Sequence, residues 1–202
     1  MNIFCDLDGT LIDSRIRLYE LFRYLVPCSN LSFDEYWGFK RNQMNHRQIL
    51  IENFKYSESQ ICSFEKSWMG QIELKEWLDL DHPFENVTDF LLYLNSFNNI
   101  YIVTARQNKQ NVYMQLKRFG WTEIFRDVLV TEQNSSKVDL ITNSVKVEMD
   151  DWIVGDTGKD VQTGRTLGIK TAAVLSGFLN ENSLLKYSPD VIVEYFIDLK
   201  FT

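Results

Sequence analysis

The apolar positions along this chain change rhythm twice. Ile3, Phe4 and Cys5 open it as a short continuous apolar run, the pattern of a buried strand. From about Ser14 to Asp81 strand signals almost vanish. Leu18, Leu21, Phe22 and Leu25 fall at helical spacing, and Pro27 closes that helix. Ile49, Leu50 and Phe54 predict a second helix. Ser57 before Glu58 reads as the N-cap of a third, which carries Ile61, Phe64, Trp68 and Ile72.

From about His82 helices and strands alternate. Val87, Phe90, Leu91 and Leu94 form a helical stripe, and Ile100 to Val103 is a strand buried on both faces. Val112, Leu116 and Phe119 lie on the next helix, which Gly120 ends. Val128–Val130 is a strand, and Ser135 or Ser136 caps a helix through Leu140 and Ile141. Trp152–Val154 is a strand, followed by a helix to Gly168; Thr171–Leu175 and Val191–Val193 are the last two strands.

Such alternation predicts an α/β fold, a doubly wound three-layer α/β/α parallel sheet. The helical block interrupts it just after the first strand. The expected organisation is a core from residues 1–13 and 82–202, with a helical cap from residues 14–81 inserted between them.

Size and charge narrow the function. The 202 residues are 45% hydrophobic, enough for one well-buried core plus an insert. A net charge of −7 without Lys/Arg clusters argues against binding nucleic acid or an anionic membrane surface. No apolar stretch is long enough to span a bilayer, and no basic, apolar leader opens the chain. Cys5, Cys28 and Cys62 have neither zinc nor disulfide spacing. They read as small buried hydrophobes of a reducing compartment, so a cytoplasmic location is expected.

The chemistry gathers where the predicted strands end. In an open parallel sheet, ligands bind beyond the carboxyl ends of the strands. There the chain places Asp6-Leu7-Asp8-Gly9-Thr10, then Thr104-Ala105-Arg106, then Lys137 at a helix start, then Gly155-Asp156-Thr157-Gly158-Lys159-Asp160. A buried strand ending in two carboxylates needs a cation or a shared proton. A calcium loop starting at Asp6 is excluded, because Gly9 comes too early and Arg17 stands where the closing acid belongs. Acids, a hydroxyl and cations together suit phosphoryl transfer. An aspartate attacks phosphorus, Mg2+ bridges carboxylates and phosphate, and a lysine and a hydroxyl hold the transferring oxygens.

These four segments resemble the motifs of the haloacid dehalogenase superfamily, in its phosphatase branch with an inserted helical cap. Asp6-Leu7-Asp8-Gly9-Thr10 is similar to its DxDGT motif and Ile102-Val103-Thr104 to its strand ending in Ser or Thr. Lys137 is similar to its helix-start lysine, and Gly155–Asp160 to its GDxxxD motif. The resemblance implies Asp6 as nucleophile and Asp8 as general acid/base. It implies Mg2+ held by the Asp6 and Asp156 carboxylates and the Asp8 carbonyl. Thr104, Ala105 and Lys137 would bind the phosphate, and Asp160 would orient the metal shell or the lysine. Dehalogenase members lack the second aspartate, so Asp8 points to phosphate chemistry. The overall pattern is most similar to phosphoglycolate phosphatase-like members, which implies a small phosphorylated metabolite as substrate.

Other readings remain open at this level. A phosphomutase would use the same residues, a phosphonate hydrolase would need a cap lysine such as Lys40, and a regulatory protein could bind a phosphorylated ligand without turnover. Lys109 and Lys146 are rivals for the place of Lys137. Arg106 reads equally as a phosphate contact or as the partner of a surface acid. Tyr19, Phe22, Tyr24, Phe33, Tyr36, Trp37 and Phe39 are expected to form the cap's own core. Arg41, His46 and Arg47 are its polar candidates for gripping a substrate.

Overall fold

The computed structural model describes residues 1–201. It begins with β1 (Asn2–Cys5) and the two-residue β2 (Ile12–Asp13). Five helices follow: α1 (Arg15–Leu25), α2 (Phe33–Arg41), α3 (His46–Phe54), α4 (Glu58–Gln71) and α5 (Lys75–Leu78). Then come β3 (His82–Pro83), α6 (Val87–Asn95), β4 (Asn99–Thr104), α7 (Lys109–Phe119), β5 (Asp127–Val130) and α8 (Lys137–Ser144). The chain continues through β6 (Trp152–Gly155), α9 (Gly158–Leu167), β7 (Lys170–Val174), α10 (Glu181–Leu185) and β8 (Val191–Val193), then a 3-10 turn at Phe196–Asp198.

Among the described residues, six strands form one sheet in the order β5-β4-β1-β6-β7-β8, and every pairing in it is parallel. The alternation of side chains across the strands builds two faces. Ile3 and Cys5 of β1 join Ile100, Ile102, Val128 and Val154 on the face covered by α6 and α7. Phe4 joins Tyr101, Val103, Leu129 and Ile153 on the opposite face, against Ile141 of α8. The expected three-layer α/β/α parallel fold is therefore what the chain adopts.

β1 lies at the centre, with β4 on one side and β6 on the other, and the connections leave it in both directions. Its registers, Cys5 opposite Ile102 and Cys5 opposite Val154, bring Asp6, Thr104 and Asp156 to one sheet edge. Gly164 allows α9 to approach this sheet closely; a Cβ there would lie 2.3 Å from the Thr171 side chain.

The helices α1–α5 have their own core, in which Leu18, Leu21, Phe22, Tyr36, Trp37, Ile49, Leu50 and Phe64 are buried. Before and after this segment, β2 and β3 pair antiparallel, Ile12 opposite Pro83 and Asp13 opposite His82. The aromatic side chains do pack as a core, with one exception: Tyr24 is exposed, its ring against that of Trp77. Helix α2 lies outside the predicted elements, although Phe33, Tyr36 and Trp37 fall at helical spacing and its capping box, Ser32 with Glu35, is complete. Ser57 caps α4 as expected, and Ser136 rather than Ser135 caps α8. Cys5 is buried, but Cys28 and Cys62 are exposed, which corrects the expectation that all three are core residues. No helix among the described residues is long and apolar enough to cross a membrane.

Candidate active site

The carboxyl ends of β1, β4 and β6 open into a cavity of about 600 Å³. Asp6, Asp8, Thr104, Ala105, Lys137 and Asp156 line it from the sheet side; Arg17, Lys40, Met44 and Glu73 line it from the helical segment. Segments distant in sequence meet here because a parallel sheet puts every strand's carboxyl end on the same edge.

Asp6 follows β1 directly, its backbone N–H donating to the Val154 carbonyl at 2.8 Å. The Lys137 ammonium reaches it from the first position of α8, where the Ser136–Asp139 capping box orients the helix start. Lys137 Nζ donates to Asp6 Oδ1 at 2.7 Å and to Asp160 Oδ1 at 2.5 Å. Of its rivals, Lys146 is exposed and paired with Glu148, while Lys109 sits over the Tyr113 ring. Burial pushes the Asp6 carboxyl up to about 7; Lys137 pulls against this rise, and Asp160 and Asp8 add to it.

Asp6, Asp156 and Asp160 each offer a carboxylate oxygen within 4.8 Å of the others. The Lys137 ammonium is paired with two of these three acids, Asp6 and Asp160. Asp156 is fully buried. Its Oδ2 accepts from the Phe178 N–H at 2.6 Å, whereas Oδ1 has no hydrogen-bond partner. Burial raises the Asp156 carboxyl well above its usual range, and Asp6 and Asp160 raise it further. An orphaned, buried carboxylate oxygen beside a second carboxylate fits a hard divalent cation with oxygen ligands. Asp160 is committed elsewhere: its Oδ2 accepts from the Thr157 hydroxyl at 2.6 Å and its Oδ1 from Lys137.

Glycine is required beside this cluster. Gly9 has φ +78°, and a Cβ there would lie 2.5 Å from Asp156 Oδ2. Thr104 ends β4 buried at the cavity floor, and Ala105 is exposed beside it with its carbonyl accepting from Gln133 Nε2 at 2.9 Å.

Asp8 has a different environment. Its carboxylate is bound by Arg106 through two guanidinium nitrogens and by Arg17 from α1. Burial alone would raise its pKa, but the two guanidiniums outweigh this and hold it at about 2. Arg106 lines the cavity and is no partner of a surface acid: it is buried between Asp8 and the fully buried Asp81. Arg17 and Asp81 were not singled out from sequence. The available signal was Arg17 itself, a charge on the apolar stripe of α1 one turn before Leu21, where a buried partner is needed.

The polar cap candidates lie away from the cavity lining. His46 is stacked among Phe22, Phe64 and Trp68 and is hydrogen-bonded to the Tyr36 hydroxyl at 2.9 Å. Arg47 is engaged by Glu58 and Glu65 at the surface. The Arg41 carbonyl accepts from Asn180.

The chain is similar to known proteins. A pyrophosphatase PpaX from Oceanobacillus iheyensis is 24% identical over 205 residues, covering 98% of this chain and 94% of that protein. A phosphoglycolate phosphatase from Synechococcus elongatus is 26% identical over 204 residues, with 98% and 94% covered. Among solved structures, a haloacid dehalogenase-like family hydrolase from Streptococcus pneumoniae superposes with a TM-score of 0.78 at 24% identity, covering 98% of this chain and 95% of its own. Residues 3–174 match the family described as haloacid dehalogenase-like hydrolase, a span that includes all four motifs, and the chain belongs to that family of enzymes.

Proposed function

We propose that the protein is a Mg2+-dependent phosphatase that hydrolyses a small phosphate monoester through an aspartyl phosphate on Asp6. The observation that carries this reading is the position of Asp6, between the Lys137 ammonium and the Asp156 carboxylate with its unpartnered oxygen. A relative named phosphoglycolate phosphatase supports the monoester class, and one named pyrophosphatase supports phosphoryl transfer from a small phosphorylated compound.

The chain's own groups supply the steps. A carboxylate oxygen of Asp6 attacks phosphorus and the bond to the leaving oxygen breaks. The Lys137 ammonium and the Thr104 hydroxyl hold the phosphoryl oxygens as negative charge spreads over them. Protonated Asp8 gives its proton to the leaving oxygen. As a carboxylate it then takes one from the water that attacks the aspartyl phosphate, so that phosphate is released and Asp6 is regenerated. In the present geometry Arg17 and Arg106 hold Asp8 in the carboxylate form, the form that accepts the water's proton; the donating step requires Asp8 to leave these guanidiniums and take a proton from solvent before the leaving oxygen departs. Asp6 and Asp156 would hold the metal, which supplies positive charge to offset the acids and the incoming phosphate.

The reading is tested by phosphate release from sugar phosphates, nucleotides and phosphoglycolate, with and without Mg2+, for the wild type and Asp6→Asn. Release that needs the metal and vanishes in Asp6→Asn is expected. Turnover that survives Asp6→Asn would exclude an Asp6 nucleophile.

A further inference from the structure

We propose that Lys40 forms an anion subsite in the active-site cavity, and that the substrate's leaving group carries its own negative charge, a carboxylate or a second phosphate. This rests on the phosphatase reading of the site.

Lys40 lies in the last turn of α2 and lines the same cavity as Asp6, Thr104 and Lys137. The other partly or fully buried cations of that lining have acids. Lys137 is paired with Asp6 and Asp160, and Arg17 and Arg106 are paired with Asp8 and Asp81. Among the described residues, Lys40 has no ion pair and no hydrogen bond to its ammonium; it lies 5.9 Å from the centre of the Phe178 ring. The acid facing the cavity from the helical segment is not free to serve it, because Glu73 accepts from the backbone N–H groups of Gln107 and Asn108 at 2.6 and 3.1 Å.

A weak reason for the lysine exists. A helix carboxyl end and an aromatic face both favour a cation, but neither neutralises one that is partly buried. Burial lowers the ammonium to about 8, with no acid opposing that shift. The nearby His46 is pushed well below its usual pKa, by burial first and by Lys40 second, so it stays neutral and adds no second charge.

The surroundings describe the missing partner. Leu18, Met44 and Phe178 make apolar walls, while Gln43 and Asn45 offer amides. Phe178 also links the two ends of the cavity, since its backbone N–H holds Asp156 and its ring faces Lys40. A ligand with its phosphoryl group at Asp6 and an anionic tail toward Lys40 would satisfy both ends.

The test compares 2-phosphoglycolate and inorganic pyrophosphate, whose leaving groups are anionic, with ethyl phosphate, whose leaving group is neutral. Lys40→Met is expected to lower kcat/KM for the anionic pair by about 10- to 100-fold and for ethyl phosphate by less than about threefold. Lys40→Arg is expected to restore most of the loss. The probe that loses more identifies the tail as carboxylate or phosphate. Calorimetry of the same three probes on Asp6→Asn, with and without Lys40→Met, reads the subsite without turnover. Tighter, Lys40-dependent binding of the anionic pair, with none of the three probes hydrolysed by the wild type, would uphold the subsite and remove the phosphatase reading. Equal losses on all three probes would overturn the proposal, as would borohydride trapping of Lys40 with phosphonoacetaldehyde, which would make it an amine nucleophile.

Discussion

Asp8 and Asp81 share the same two arginines. Arg17 Nε lies 3.0 Å from Asp81 Oδ1 while its Nη2 binds Asp8; Arg106 Nη2 lies 2.8 Å from Asp8 Oδ1 and 3.2 Å from Asp81 Oδ2. Two positive and two negative charges thus balance in a largely buried site. The site joins the loop after β1, the first helix of the inserted segment, the residue just before β3 and the loop after β4. Gln115 completes it, its Nε2 donating to Asp81 Oδ2 at 2.7 Å.

Removing one charge from this knot leaves the others uncompensated. Asp81→Asn keeps the shape but turns an acceptor that faces two guanidiniums and an amide into a group that also donates. The expected loss of folding stability is about 3–5 kcal/mol, read from urea unfolding midpoints. A change within experimental error would show that the knot is not a stabilising unit.

Asp8 is assigned a proton-transfer role, whereas its backbone carbonyl is the part expected to meet the metal. Asp8→Asn should therefore lower kcat by about 10²- to 10⁴-fold and leave Mg2+ affinity nearly unchanged. Because Asp8 belongs to the same knot, parallel turnover and calorimetric titrations at a temperature where urea unfolding shows the variant to be folded check both halves. A collapse of metal binding would assign the carboxylate a different task.

Gly177 presses on the acid cluster: a Cβ there would lie 1.9 Å from Asp156 Oδ2. Gly177→Ala must displace that carboxylate, and Mg2+ affinity is expected to fall by about 10- to 100-fold. Gly38, in the middle of α2, has nothing within 4 Å of its would-be Cβ, so Gly38→Ala is the matched control. It should keep Mg2+ affinity and gain up to about 1 kcal/mol of stability.

His46 links folding to pH. Packed against Trp68 and Phe64, it is neutral in the folded protein, with a pKa held well below 6.5 by burial and then by Lys40. The unfolded chain binds a proton there below about 6.5 that the folded chain does not. This contribution to stability is therefore present above about pH 6.5 and lost as pH falls below it, by at most about 1.4 kcal/mol per pH unit. The wild type should lose more stability than His46→Gln between pH 7 and pH 5, in denaturant titrations at each pH. Parallel curves would place His46 in contact with solvent protons.

By itself the sequence determined the parallel sheet and the edge on which chemistry gathers. Both follow from local patterns. Continuous apolar runs mark strands buried on two faces, helices between them force parallel pairing, and acids placed directly after those runs must lie at the strand ends. Asp6, Thr104 and Asp156 could be placed on one edge because each touches its strand in sequence. Caps at Ser57 and Gly120 were legible for the same reason: they depend on neighbours a few residues away.

Only the tertiary structure decided which charges meet. Arg106 lies two residues beyond β4, yet its partners are Asp8 and Asp81. His46 carries the chemistry of a ligand, yet it packs among aromatic rings, while the less conspicuous Lys40 lines the cavity. The pairing of β2 with β3 is equally silent in sequence, since two residues on each side carry no period. A side chain's partner depends on which distant segment burial brings beside it, and no local pattern of apolar and polar residues records that.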